Sequence, residues 1–425
     1  MRSPPETDKA KINNDFNSFY QAAIQVLGTE APALENSAEQ RQYLLSAIED
    51  IVRPLSEQVV LLKLEGGDLK QGFEVSADIL CDRQRLDITL EGKLPPKPEI
   101  SEHYQKWQKT YAILNYNLNN RAIKVNKGQI TNFSVETLKN QAEELEMDVK
   151  TWLKSEQFHP IQQELCDKLN HNDEVRVIIE TEDNLLRKLP WHQWEFFEIY
   201  AKAEVALSRK LSNRVKKSVP SRKKVRILAV LGANENLNLD EDRKILENLS
   251  EAETIFLEQP THQQLEKYLT DETGWDILSF SGHSESEVDG STGVICINDT
   301  DNLTVEQLKD SLKIAIQKGL EIAIFNSCDG LGLAKQLAHL DIPQIIVMRE
   351  LVPDAIALEF LKTFLQAFVG GDSFYVSVRK ARKHLKDNCD RQIPGVSWLP
   401  VIFQNKAEFP QTWQTLQKNG RSLVK

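Results

Sequence analysis

The sequence predicts an α/β fold with a mostly parallel sheet, preceded by an α+β supporting domain and a short helical N-terminal segment. Three observations predict it. After residue 225, near-continuous apolar runs of strand length alternate with helical patterns, as parallel strands covered on both faces do. Between 58 and 94, apolar and polar residues alternate instead, the pattern of half-buried strands. Two of the later runs also stop abruptly at one reactive side chain each, His283 and Cys328.

The 425 residues have room for two to three domains. Composition shifts divide them into 1–57, 58–220, 221–405 and a C-terminal tail, 406–425. Hydrophobic residues make up 40% and charged residues 27%, the balance of an ordinary globular protein. A formal charge of −11 argues against nucleic-acid binding. Cys81, Cys166, Cys296, Cys328 and Cys389 are scattered without a CxxC pair, which fits free thiols in a reducing compartment. No apolar run approaches the ~18 residues of a membrane helix, and the first residues lack the apolar core of a signal peptide. The expectation is a cytoplasmic protein without a membrane segment.

In chain order, helical periodicity covers 15–27, stopped by Gly28, and 37–52, stopped before Pro54. Helices this short are unstable alone. They read as a lid over the next domain or, more sharply, as a small recruitment module. A meander follows at 59–65, 73–80 and 86–90, then helices at 101–118 and 134–153 and another before Asn170. Strands are expected at 175–180 and 203–207. Between them, His192 is flanked by Trp191 and Trp194 and reads as part of a packed capping helix rather than as a catalytic base.

Eight of the sixteen residues from Arg209 to Lys224 are basic, with Pro220 among them. The run reads as a solvated interdomain linker, or alternatively as a partner-docking or proteolytic site. Strands at 225–231, 254–257 and in the run from Asp276 that ends at His283 then alternate with helices at 240–249 and 261–269, a βαβαβ order. Gly232-Ala233-Asn234 is not a GxGxxG turn and no GxxxxGK[ST] occurs, so nucleotide binding is unsupported. A crossover helix at 304–317 leads to the run 322–325. A strand at 344–348, helices at 355–368 and 375–385 and a closing strand at 398–404 complete the pattern.

Ligands of open parallel sheets bind just beyond the carboxyl ends of the strands. Ile277, Leu278 and Phe280 lead to His283; Ile322, Ala323, Ile324 and Phe325 lead to Cys328. The two would share one rim. The Gly330 turn after Cys328 feeds a helix at 331–338, whose dipole, with an adjacent imidazolium, would stabilise a thiolate. That is what a cysteine nucleophile requires. Either residue alone reads as a packed Cys or a turn His; the pair carries the chemistry. Glu285 and Glu287 read equally as selectors of a basic substrate or as solvated acids, and Asp289 as a hairpin turn. Arg349, Glu350 and Asp354 follow the strand at 344–348. Asp354 also reads as a helix cap.

Phe280-Ser281-Gly282-His283, the hairpin after it and Asn326-Ser327-Cys328-Asp329-Gly330 together resemble the CHAT family of caspase-like cysteine peptidases. Leu189-Pro190-Trp191, Val352-Pro353-Asp354 and Trp398-Leu399-Pro400 fall in the family's order, and the likeness covers about 175–405. Cys328 lies 45 positions after His283, close to the ~50 of caspases. The resemblance implies a caspase-like three-layer sandwich and clan CD-type endopeptidase chemistry, in bacterial stress, signalling or cell-death systems. It implies that 58–220 is, by analogy, a protease-like half without its own site. His283 would be general base and later acid, and Cys328 the nucleophile. The backbone N–H of Cys328, with that of Gly282 or Ser284, would form the oxyanion hole. Glu285, Glu287, Asn326, Asp329, Arg349, Glu350 and Asp354 are the substrate-binding candidates, and neither a metal nor an organic cofactor is required. Two departures stand out. Lys/Arg-cutting relatives carry an acid two residues before the nucleophile where this chain has Asn326, so an uncharged or mixed P1 preference is expected. Only Leu340-Asp341-Ile342-Pro343 stands where caspases have a cleavable linker, so control by a regulatory protein or fused sensor domain is expected. The rival reading is a catalytically silent scaffold that binds protein partners.

Overall fold

The computed structural model describes residues 57–81, 84–119, 134–219, 222–233, 239–286, 293–327 and 330–418. The helices expected at 15–27 and 37–52 and the turn at Asp289 lie outside them. The alternating residues after Glu57 form the meander: β1 (Glu57–Asp68), β2 (Gly72–Cys81) and β3 (Gln84–Leu94), paired antiparallel in sequence order. Helices α1 (Glu99–Asn119), α2 (Val135–Leu153) and α3 (His159–Lys168) follow. Ser134 caps α2 by accepting from the Thr137 amide, 3.0 Å away, as N-cap serines do.

Next come β4 (Glu174–Glu180), α4 (Asn184–Lys188), a 3₁₀ turn (Trp191–Gln193), α5 (Phe196–Ile199) and β5 (Glu204–Ser208). His192 sits in that 3₁₀ turn, and burial pushes its imidazole well below the usual range, so it is held neutral. The second half runs β6 (Val225–Leu231), α6 (Leu239–Glu247), β7 (Ala252–Glu258), α7 (His262–Leu269) and β8 (Ile277–Ser281). A small sheet of β9 (Ser284–Ser286), β10 (Gly293–Cys296) and β11 (Asn302–Thr304) leads into α8 (Val305–Gln317). Then follow β12 (Ile322–Asn326), α9 (Leu331–Ala338), β13 (Gln344–Met348), α10 (Asp354–Val369), α11 (Phe374–Asn388) and β14 (Pro400–Gln404). The residues read as a tail add α12 (Trp413–Lys418), with Trp413 and Leu416 buried.

The strands of both halves share one 11-stranded sheet, ordered β3-β2-β1-β4-β5-β14-β13-β12-β8-β6-β7. Every residue of β8, β12, β13 and β14 is buried, so both faces are covered. This is the α/β sandwich with a mostly parallel sheet that the apolar runs predict. Direction reverses once in its middle. Strands β6, β7, β8, β12 and β13 run parallel to one another; β14 is antiparallel to β13 but parallel to β5, which is parallel to β4 and through it to β1. The carboxyl ends of the two parallel sets therefore lie on opposite edges.

Part of the basic run differs from the expected solvated linker: Arg209, Lys217 and Arg222 are latched to acids along the sheet, whereas Lys210, Arg214, Lys216, Lys223 and Lys224 are exposed. Arg209 pairs with Asp341, and Lys217 lies 2.7 Å from Glu321 and 3.5 Å from Glu408. Arg222 is 3.0 Å from Asp276, which is fully buried. Burial raises the Asp276 carboxyl to about 6 and the Glu321 carboxyl to about 7, even with these cations pulling both down. Both acids stand at the amino ends of their strands, and the Asp276 carbonyl accepts from the Glu321 and Ile322 amides. Sequence counts charge but not partners. Here the partners of Lys217 and Arg209 lie 104 and 132 positions away.

Candidate active site

Strands β8 and β12 are parallel neighbours, paired from Ile277 with Ile322 to Ser281 with Asn326. The two runs end level. His283 follows Ser281 by two positions, and Cys328 follows Asn326 by two. Cys328, Asp329 and Glu287 lie outside the described residues. Glu285 pairs with Val294 through the β9–β10 ladder, and its side chain is likewise outside the description.

Beyond Ser281 the chain must turn tightly against β6. Gly282 does this at φ +155°, where a Cβ would stand 3.1 Å from the Gly232 Cα and 3.2 Å from the Phe280 ring. His283 is half-buried, and its carbonyl accepts from the Cys296 amide at 3.0 Å, tying it to the small sheet. Ser284 is buried, and its Oγ donates to Ser327 Oγ at 2.8 Å. The residue after His283 is thus bonded to the residue before Cys328.

On the other side of the pair, the Gly330 amide donates to the Met348 carbonyl at 2.7 Å. A Cβ on Gly330 would lie 2.7 Å from the Val347 Cβ, so only glycine lets the start of α9 approach β13 so closely.

Beneath the strand ends lies Asp242, which the sequence reading did not single out. Ser281 Oγ and Asn326 Nδ2 both donate to its Oδ1, at 2.8 and 3.0 Å. Burial raises its carboxyl, those two hydrogen bonds oppose the rise, and Asp354 adds to it. A sequence signal exists: Leu239, Asp242 and Leu246 are the buried positions of α6, so an acid interrupts the apolar stripe.

Of the other specificity candidates, Arg349 is buried and Glu350 and Asp354 are half-buried. Arg349 is 4% exposed and donates to the Lys188 carbonyl; burial pushes its guanidinium down to about 10. Glu350 Oε1 accepts from Tyr104 Oη at 2.6 Å and Gln108 Nε2 at 2.7 Å, both on α1. Tyr111 and Asn115, one and two turns on, donate to the Leu351 carbonyl. Helix α1 therefore clamps the loop after β13, a contact across some 240 positions that no local pattern announces. Asp354 is the first residue of α10, and Pro353 holds the cap position expected for it. Among the described residues no helix is long and apolar enough to cross a membrane.

Comparison with curated proteins returns no match. Among solved structures, a chain of the Saccharomyces cerevisiae separase–securin complex is similar at TM-score 0.49 and 10% identity, over 87% of this chain and 31% of that one. The Arg-specific cysteine proteinase gingipain R is similar at 0.42 and 9%, over 73% and 77% of the two chains. The Drosophila initiator caspase Dronc is similar at 0.31 and 10%, over 47% and 97%. The chain thus spans under a third of the separase-complex chain it matches. The CHAT domain family matches residues 148–420, from within α2 to beyond α12 and so across both halves of the shared sheet. With well over half of its length matched, the chain belongs to the CHAT domain family.

Proposed function

We propose that this chain is a caspase-like cysteine endopeptidase acting through His283 and Cys328. The observation that carries the reading is the level ending of β8 and β12, with Ser281 opposite Asn326 and Ser284 bonded to Ser327. His283 takes the Cys328 thiol proton, and the thiolate attacks the scissile carbonyl. The backbone N–H of Cys328 and that of Gly282 or Ser284 stabilise the oxyanion. His283 then returns the proton to the leaving amine, and water hydrolyses the acyl-enzyme.

Asn326 bears no charge and is bonded to Asp242, which supports an uncharged or mixed P1 residue. Glu285, Glu287, Asp329 and Asp354 are retained as substrate contacts in this reading. Arg349 and Glu350 act by holding the loop after β13 in shape. Control comes from a regulatory protein or fused domain rather than from cutting between α9 and β13. There Asp341 is bonded to Arg209 and Asn213, and Asn405 donates to its carbonyl, so the connection is poorly placed for a protease. A cytoplasmic role in bacterial signalling, stress or defence completes the proposal.

The test is a search for new peptide N-termini by mass spectrometry, after incubating the full chain with a denatured proteome. Wild type should generate them; His283→Ala and Cys328→Ala should not. If all three give the same background and Cys328 alkylates like an ordinary thiol, the chain is a partner-binding scaffold.

A further inference from the structure

We infer that Asp242 is a positioning residue for the reaction proposed above, an inference that rests on that reading. It acts on the two strand ends, not on substrate. One oxygen, Oδ1, accepts at 2.8 Å from Ser281 and at 3.0 Å from Asn326. Those residues belong to different strands, are in register, and are the last of the ladder. Beyond them each chain leaves the sheet, so backbone pairing no longer fixes the spacing of the segments that follow. A shared acceptor at this level supplies the missing constraint, fixing the rotamers of both end residues and the separation of the departing segments. The Ser284–Ser327 bond repeats the tie further along. Two bonds at two levels define an orientation; one would leave a hinge.

Helix α6 makes the acceptor rigid. Leu239 and Leu246 are buried beside Asp242, and α6 packs against α10. A carboxylate 1% exposed is costly to bury and needs its hydrogen bonds. A face required only for packing would carry a third leucine here. The acid is explained by its two donors.

The experiment measures alkylation of Cys328 in the full chain by iodoacetamide as a function of pH, read by peptide mass spectrometry. Cys166 and Cys389, which are partly buried and lie away from the strand ends, serve as internal controls. The variants are His283→Ala, Asp242→Asn, Asp242→Ala and Ser281→Ala. Wild-type Cys328 should react below pH ~7, whereas an ordinary thiol titrates near ~8.5. Asp242→Asn keeps the accepting oxygen and should stay within about twofold of wild type, since oriented groups tolerate little displacement but none occurs here. Asp242→Ala and Ser281→Ala should lose about tenfold in rate below pH ~7 and move toward the His283→Ala profile. The control cysteines should not change, as they would if the variants merely loosened the fold.

If Asp242→Ala and Ser281→Ala keep the wild-type profile while His283→Ala loses it, the positioning role is wrong and the dyad stands. If His283→Ala leaves the profile unchanged, the dyad reading fails and the positioning role with it. Should Asp242→Ala unfold, exposing every cysteine, Ser281→Ala decides by the same two outcomes.

Discussion

Ser284 Oγ donates a 2.8 Å hydrogen bond to Ser327 Oγ, joining the residue after His283 to the residue before Cys328. Both residues are buried, at 4% and 2% exposure. A hydrogen bond of this kind contributes about 0.5–1.5 kcal/mol net. Ser327→Ala should lower stability by about that amount, read from the urea midpoint, and slow Cys328 alkylation below pH ~7. An unchanged alkylation rate in a destabilised variant would limit the bond to a structural role.

Gly330 has no room for a side chain. Its missing Cβ would sit 2.7 Å from the Val347 Cβ, against the backbone of β13. Gly330→Ala must push α9 away from β13 and should cost about 1–3 kcal/mol, the usual range for overpacking. Thermal unfolding reads the loss. A variant as stable as wild type would show that α9 shifts freely.

The clamp of α1 on the loop after β13 depends on Trp107. Its ring stacks on Tyr111 at 5.1 Å, meets Trp398 at 5.1 Å, and donates from Nε1 to the Pro394 carbonyl at 3.1 Å. Trp107→Ala should cost about 3–5 kcal/mol. It should also loosen the Glu350–Leu351 loop, seen as faster amide exchange at 349–352 than at β12. Uniform exchange across both would place the loop's order elsewhere.

Glu321 gives stability a pH dependence of predictable sign. Its folded carboxyl is raised to about 7 from an ordinary 4.5, so between those values the folded state binds more protons than the unfolded. Stability from this group therefore falls as pH rises through that window and is level above it. Glu321→Gln should gain on wild type from pH ~4.5 to ~7, by at most about 3 kcal/mol. Urea unfolding of both proteins across that range is the check. A gap that instead narrows would mean that Lys217, 2.7 Å away, holds the folded carboxyl below its unfolded value.

Much of this was legible in the residues. The runs leading to His283 and Cys328 read as neighbouring parallel strands, and they are. The meander, the helices after it and the alternation beyond 225 fall close to their expected bounds. Asp242 was missed because, next to Asp240 and Glu241, it reads as part of a solvated acidic first turn; its bonds to Ser281 and Asn326 show that it faces inward. Arg349 and Glu350 are specificity candidates because, in caspase-like folds, the loop after this strand helps to form the substrate cleft. The bonds to Lys188 and to Tyr104 and Gln108 turn them inward.

The sequence by itself determined which segments are strands and which are helices, where the glycine turns fall, and which two reactive residues end adjacent apolar runs. Those properties follow from periodicity and backbone sterics, which act within a few residues. Only the tertiary structure decided that both halves share one sheet, that its direction reverses at β14, and that Lys217 and Arg222 of the basic run are latched to buried acids. Each depends on surfaces and charges from distant segments being buried together. Arg222 meets Asp276, and α1 meets Glu350, only after the chain has closed.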